Sequence, residues 1–262
     1  MLLENRVVVV SGIGPGMGRD IALACAREGA DIALAARSAD RLAAVAAEVE
    51  ALGCRAVAVP TDATAEADIA RLMDHAESEL GGIDVLVNNA FSQPPFATLE
   101  DMALDDWYAS MEINCTAALK MSRAALAPMR RRDGGSIVNI ATMSIRNNRP
   151  HFGAYAAAKS ALTSITRTMA QEVGPDHIRV NAVCPGYIMG ESVRWYLQSL
   201  ADQAGTSYQD EYDRVASEIA LRFIPDSEQI SGSVVFFASD LACAVTGTSL
   251  DLSLIHISEP TR

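Results

Sequence analysis

Tyr155 and Lys159 stand four residues apart in Phe152-Gly153-Ala154-Tyr155-Ala156-Ala157-Ala158-Lys159, a spacing that puts both side chains on one face of a helix. A free phenol has a pKa of about 10, too high for efficient proton exchange near neutrality, and a neighbouring ammonium favours the phenolate. Such a pair can give a proton to a carbonyl oxygen or take one from an alcohol. The chain holds six tyrosines but only two lysines, Lys120 and Lys159, among its 21 lysines and arginines. Chance alone would set a lysine at this spacing behind a tyrosine in about one such chain in twenty, where helical geometry is ignored. Arginine is no simple substitute at Lys159, because its planar, rigid fork is not a compact ammonium with rotatable donors.

A second constellation lies near the start. Val7–Val10 runs straight into Ser11-Gly12-Ile13-Gly14-Pro15-Gly16-Met17-Gly18-Arg19, and a helical pattern follows. Strand, glycine turn and helix N-terminus bring bare backbone N–H groups and the positive end of a helix dipole to one point, which suits a pyrophosphate. The G-x-G-x-x-G spacing is absent, since Met17 and Arg19 stand where its third glycine would fall. Taken alone, the turn also reads as a tight connection with no ligand; its place after the first strand favours binding.

The elements that must position these residues show in the hydrophobic pattern. Short apolar or β-branched runs at Arg6–Val10, Asp31–Ala35, Arg55–Val59, Asp84–Val87, Ser136–Ile140, Ile178–Val183 and Thr248–Asp251 read as strands. Ala-rich stretches with helical periodicity lie between them: Arg19–Glu28, Ala39–Leu52, Glu66–Leu80, Asp105–Arg131, Gly153–Val173 and Asp226–Ala238. The pattern predicts an α/β chain with a single Rossmann-type, doubly wound domain over residues 1–251, its seven-stranded parallel sheet covered by helices on both faces. Ligands of such sheets sit beyond the carboxyl ends of the strands. From Pro185 to Pro225 no strand signal appears, yet Trp195, Tyr196, Leu197, Tyr208, Tyr212 and Phe223 supply apolar bulk. A segment this long and this aromatic reads as a folded lid, about 186–225, over a pocket.

Composition excludes other classes. A formal net charge of −12 opposes binding to nucleic-acid phosphates and to anionic membrane surfaces. No apolar run reaches the roughly 18 residues of a membrane span, and Glu4 and Arg6 break the order expected of a signal peptide. Five scattered cysteines, none spaced C-x-x-C, point to a reducing compartment, the cytoplasm, and no metal-ligand spacing stands out.

Gly12, Gly16 and Gly18 match the G-x-x-x-G-x-G turn of the short-chain dehydrogenase/reductase family. The resemblance continues, in family order from residue 6 to about 251, through Asp62, Asn88-Asn89-Ala90, Asn114, Tyr155-x-x-x-Lys159 and Pro185-Gly186. It implies a nicotinamide dinucleotide bound by the glycine turn with Met17, by Asp62 and Ala63 at the adenine, by Asn89 and Ala90 at the adenosine ribose, and by Pro185, Gly186 and Ile188 at the nicotinamide. Taken singly, Asp62 is equally a turn or cap residue and Pro185-Gly186 a loop start. The resemblance also implies that Tyr155 is the general acid/base, that Lys159 lowers its pKa and grips the ribose, and that Asn114 holds a water leading from Lys159 to solvent. Where the family has a serine 13 residues before the tyrosine, this chain has Thr142, with Ser144 as competitor for the same role. Either hydroxyl can bond a substrate oxygen, although threonine's methyl restricts its rotamers.

The second strand ends Ala35-Ala36-Arg37-Ser38, without the carboxylate that meets a ribose 2′-hydroxyl in NAD sites. Arg37 suits a 2′-phosphate, so NADP(H) is the preferred cofactor and NAD(H) the second candidate; a solvated surface arginine is the plain alternative. Phe91 replaces the family's glycine after Asn-Asn-Ala, where it either shapes the substrate pocket or packs under the lid, and Gly190 replaces a threonine beyond the lid proline. Residues 252–262, with neither alanine nor glycine, read as foreign to the rest of the chain.

The expected activity is hydride transfer between the cofactor and a moderately apolar carbonyl or secondary alcohol. A 3-oxoacyl-thioester reductase and a dinucleotide-binding regulator without turnover are the rivals. The long helices Asp105–Arg131 and Gly153–Val173 resemble the family's oligomer-forming pair, which implies a homotetramer.

Overall fold

The computed structural model describes residues 1–14 and 16–253. Seven parallel strands make one sheet: β1 (Val7–Ser11), β2 (Asp31–Ala36), β3 (Ala56–Pro60), β4 (Val85–Asn88), β5 (Gly135–Ile140), β6 (Ile178–Cys184) and β7 (Ser249–Asp251). Their order is β3-β2-β1-β4-β5-β6-β7, so chain progression reverses between β1 and β4 and a crevice opens there past the carboxyl ends. This is the doubly wound, Rossmann-type sheet that the sequence predicts.

Alternation along β1 sends side chains to opposite layers. Val8 and Val10 pack with Ile21 of α1 (Met17–Arg27), Leu42 of α2 (Ala39–Ala51) and Phe237 of α9 (Ser227–Ala238). Val7 and Val9 pack with Leu72 of α3 (Glu66–His75), Met121 of α5 (Ala117–Arg131) and Met169 of α6 (Gly153–Val173). Burying each such aliphatic side chain contributes about 2 kcal/mol, and the two layers together hold the strand ends level. Ser11 pairs in register with Asn88, which sets the glycine turn beside the end of β4.

Two elements depart from expectation. The predicted helix Asp105–Arg131 is α4 (Leu104–Met111) and α5 joined by a π-helical turn, Glu112–Thr116, that carries Asn114. The segment 186–225 folds as α7 (Glu191–Ala204) and α8 (Tyr208–Glu218). Gly205, at φ 67°, ends α7 in the left-handed region, and Ser207 with Asp210 forms a capping box that starts α8. The pair has its own small core: Leu197, Val215, Ile219 and Ile224 pack on Ala141, Met143, Ala182 and Cys184 at the ends of β5 and β6. Met189 N–H donates to the Pro225 carbonyl at 2.8 Å and closes the base of the insertion.

Of the tail, Leu252 N–H donates to Cys184 O at 3.0 Å, and residues 254–262 lie outside the described residues. No helix among the described residues is long and apolar enough to cross a membrane.

Candidate active site

The glycine turn contains two kinds of glycine. Gly12 sits at φ +92°, and a Cβ there would stand 2.5 Å from Ala90 Cα; a Cβ on Gly18 would run into the Gly12 carbonyl oxygen. These two let the turn lie against β4, where Asn89 Nδ2 donates to Gly12 O at 2.7 Å. Gly14 and Gly16 are different: no described protein atom lies within 4 Å of where their Cβ would be. No side chain caps α1 at Gly16, which leaves its first-turn N–H groups without a side-chain acceptor there. Bare amides at a helix N-terminus, behind glycines that the protein's own packing does not require, fit the diphosphate of a dinucleotide.

Asp62 follows β3 and accepts from Thr64 N at 2.9 Å and Thr64 Oγ1 at 2.7 Å, which together with the nearby Arg37 charge hold its carboxyl below the usual range. The turn reading of Asp62 is thus realised, and it leaves one carboxylate oxygen free of those two bonds. Ala63 beside it is buried. Arg37 is exposed and makes no salt bridge among the described residues.

At the other end of the crevice, Lys159 is buried and its Nζ donates to Ile140 O at 2.8 Å. Burial lowers the ammonium to about 8, opposed by the Cys115 and Cys184 thiols on either side. Tyr155, on the same helix, is partly buried. Burial pushes the phenol up to about 12, and the Thr142 side chain pulls the other way. One N–H of the ammonium is thus directed at a carbonyl, which leaves two donors. Thr142 caps a short 3-10 turn, Met143–Ile145, by accepting from Ser144 N at 3.2 Å, while its hydroxyl donates to Ser144 Oγ at 3.3 Å. Thr142 thus bonds both Ser144 and the phenol of Tyr155.

Buried amides hold α6 in place. Asn88 Nδ2 donates to Asn139 Oδ1 at 2.8 Å, and Asn139 Nδ2 donates to Thr166 Oγ1 of α6 at 2.9 Å. Asn114 clamps the β4–α4 loop: its Oδ1 accepts from Ser92 N at 3.2 Å and its Nδ2 donates to Ser92 O at 2.8 Å. The side-chain amide is thus engaged with backbone, and it fixes the position of Phe91 next door. Phe91 is 60% exposed, which removes the reading in which its ring packs under the lid. Further along the loop, Phe96 meets Phe152 edge-on with centroids 5.1 Å apart, and Leu99 lies against Gly153, so the loop seats on the start of α6.

Pro185 O accepts from Met143 N at 2.8 Å, which joins the end of β6 to the Thr142 turn; Gly186, Ile188 and Gly190 follow it partly exposed. Sequence reasoning missed Ser92, Phe96, Phe152 and Arg149 as parts of this region. A loop aromatic carries no spacing signal, and one arginine among so many carries none either.

Both parts of the expected site thus lie at the carboxyl ends of the strands. The family model for short chain dehydrogenases matches residues 6–198. A 2-(S)-hydroxypropyl-CoM dehydrogenase of Xanthobacter autotrophicus is 35% identical over 94% of this chain and 94% of its own. The L-sorbose reductase of Gluconobacter frateurii, solved with NADPH and L-sorbose, is 28% identical and superposes with a TM-score of 0.91 over 99% of this chain and 100% of its own. A 7α-hydroxysteroid dehydrogenase, solved with NADH and 7-oxo glycochenodeoxycholic acid, is 29% identical with a TM-score of 0.87 over 96% of this chain and 94% of its own. A match across most of the chain, with relatives that share its full length, makes this protein an oxidoreductase belonging to the short-chain dehydrogenase family.

Proposed function

We propose that this chain transfers hydride reversibly between NADP(H) and a carbonyl or secondary alcohol carbon, with Tyr155 as general acid/base. The observation that carries the reading is the placement of Tyr155, met by Thr142 and one helical turn from the buried ammonium of Lys159, at the same strand ends as the open glycine turn.

A bound nicotinamide supplies the hydride donor or acceptor and, when oxidised, a positive charge. The chain's own residues do the rest. A phenol held near 12 is protonated at neutral pH, the state needed to give a proton to a carbonyl oxygen during reduction. With substrate bound, the Thr142–Ser144 bond reverses, so that Ser144 donates its hydroxyl to Thr142 and Thr142 donates to that oxygen. Lys159, lowered only to about 8, keeps most of its charge at neutral pH and is available to a ribose hydroxyl as well as to Ile140 O. Asn114 contributes by fixing the loop that borders the pocket, and the water it is expected to hold completes the route from Lys159 to solvent. Met17, Asn89 and Ala90 line the dinucleotide path with Asp62 and Ala63, and Pro185, Gly186 and Ile188 flank the nicotinamide. The helices α7 and α8 form the lid, whose core continues into the Thr142 turn. The exposed Phe91 and Phe96 give the pocket mouth an apolar rim suited to a moderately apolar substrate.

A panel of ketones and secondary alcohols, assayed with each cofactor by nicotinamide absorbance, tests the activity. Turnover only of acyl-carrier substrates would move the reading to a 3-oxoacyl-thioester reductase, and cofactor binding without any turnover would move it to a regulator. The NADP(H) preference rests on Arg37, exposed and free of salt bridges at the end of β2. Loss of a charge-assisted, bidentate phosphate contact costs about 2 kcal/mol, so Arg37→Ala should raise the KM for NADPH about thirtyfold and leave that for NADH within twofold. Equal effects on both would remove the 2′-phosphate from this position.

The resemblance of α4–α5 and α6 to the family's assembly helices supports a homotetramer. Light scattering that gives a single-chain mass would remove it. Five unpaired cysteines fit the cytoplasm, and a native disulfide found by mass spectrometry would contradict that placement.

A further inference from the structure

One guanidinium connects the segment leading into the Tyr155 helix to both helices of the insertion. Arg149 lies between the Thr142 turn and α6. Its Nη1 donates to Tyr187 Oη at 2.5 Å, its Nη2 donates to Glu218 Oε2 at 3.1 Å, and its Cζ lies 5.6 Å from the centre of the Tyr187 ring. Tyr187 comes two residues after Pro185 and stacks on Tyr196 of α7, with centroids 6.1 Å apart and rings 14° from parallel. Glu218 is the last residue of α8, and Arg214, a turn earlier, binds both Glu218 and Glu211. Arg149 thus touches α8 directly and α7 through a tyrosine pair. Its side chain is 33% exposed and that of Glu218 39%, so the ion pair lies at the edge of the insertion.

Chemistry favours a latch over a passive brace. A half-exposed ion pair adds little to global stability, because solvent screens it and the long side chains lose entropy. Between two placements of the same helices, however, contacts made in only one of them shift the population by their full differential strength. The forked, planar guanidinium suits this task, since it serves a hydroxyl and a carboxylate together, which a lysine ammonium on a flexible stem does less well.

We propose that Arg149 is a positioning residue that latches α7 and α8 over the pocket by holding Tyr187 and Glu218 together. The proposal rests on the oxidoreductase reading only in taking α7 and α8 as a substrate lid. Hydrogen exchange on the full chain tests it without turnover. In Arg149→Met, amides of α7 and α8 should exchange about tenfold faster, the scale of one lost charge-assisted contact, while β1, β4, β5 and α6 keep wild-type rates. Arg149→Lys should recover part of the protection in α8 and little in α7. The double variant Arg149→Glu with Glu218→Arg should restore α8 relative to Arg149→Glu alone. With cyclohexanone as probe, any reduction by wild type should show a KM about tenfold higher in Arg149→Met and a kcat within twofold, as expected when only substrate retention is lost. Unchanged exchange in α7 and α8, or exchange that rises equally through the sheet, overturns the latch. NADPH binding by the wild type, followed by fluorescence, reports separately on the oxidoreductase reading: its absence would sink that reading and leave the exchange result to decide the latch.

Discussion

Tyr155→Phe should lower kcat by about a thousandfold while NADPH binds within twofold of wild type, the range expected when one positioned proton donor is removed. The substitution keeps the ring and its packing and deletes a single oxygen. Thr142 loses a neighbour on one side but keeps its contacts with Ser144, so the fold should lose only about 1 kcal/mol. The pH dependence follows from the same burial. Oxidation of an alcohol needs the phenolate, and a phenol pushed up to about 12 supplies little of it at neutral pH. Oxidation by the wild type should therefore rise with pH, and reduction, which needs the protonated phenol, should hold level through neutrality and fall on the alkaline side. Stopped-flow and steady-state assays on the wild type and Tyr155→Phe check this. A Tyr155→Phe protein that turns over within tenfold of wild type, or a reduction rate that climbs with pH, would transfer the proton chemistry to another group.

The sheet was legible because its signal is redundant. Each strand from β1 to β6 except β3, where buried Val57 and Val59 alternate with exposed residues, contributes several consecutive buried residues, and each boundary falls within two residues of the apolar run that predicts it. The paired spacings were legible for the same reason, since Tyr155 and Lys159 lie on one helix and the glycines lie within one turn. What stayed hidden depends on contacts between distant segments. The π turn at Glu112–Thr116 has no glycine or proline to mark it, and its purpose shows only when Asn114 grips Ser92, 22 residues earlier. Arg149 meets Tyr187 and Glu218, 38 and 69 residues away, through no local pattern. The bonding of Lys159 stayed hidden as well, because spacing along a helix says that two side chains share a face, not where each one points. Lys159 spends its nearest bond on Ile140 O, and burial then dominates the phenol.

The glycine turn gives the second large effect, through two substitutions of the same size with opposite consequences. Gly12→Ala should destabilise the fold by at least about 4 kcal/mol, because its methyl meets backbone of Asn89 and Ala90 and φ +92° is unfavourable for any residue with a Cβ. In a chain of this size that is a fall in melting temperature of roughly 10 °C. Backbone cannot swing aside as a flexible side chain would, and the displaced loop is the one that Asn89 ties back to the turn at 2.7 Å. Gly16→Ala meets no described protein atom within 4 Å, so its melting temperature should fall by only about 3 °C, the scale of a glycine N-cap replaced by alanine. Its methyl would instead occupy the space in front of the α1 amides, where a diphosphate must approach closely, and should weaken NADPH about a hundredfold. Differential scanning fluorimetry and equilibrium binding on the two proteins separate packing from ligand approach. A Gly16→Ala protein that binds NADPH as tightly as wild type would mean that the dinucleotide does not lie across this turn, whatever the state of Tyr155.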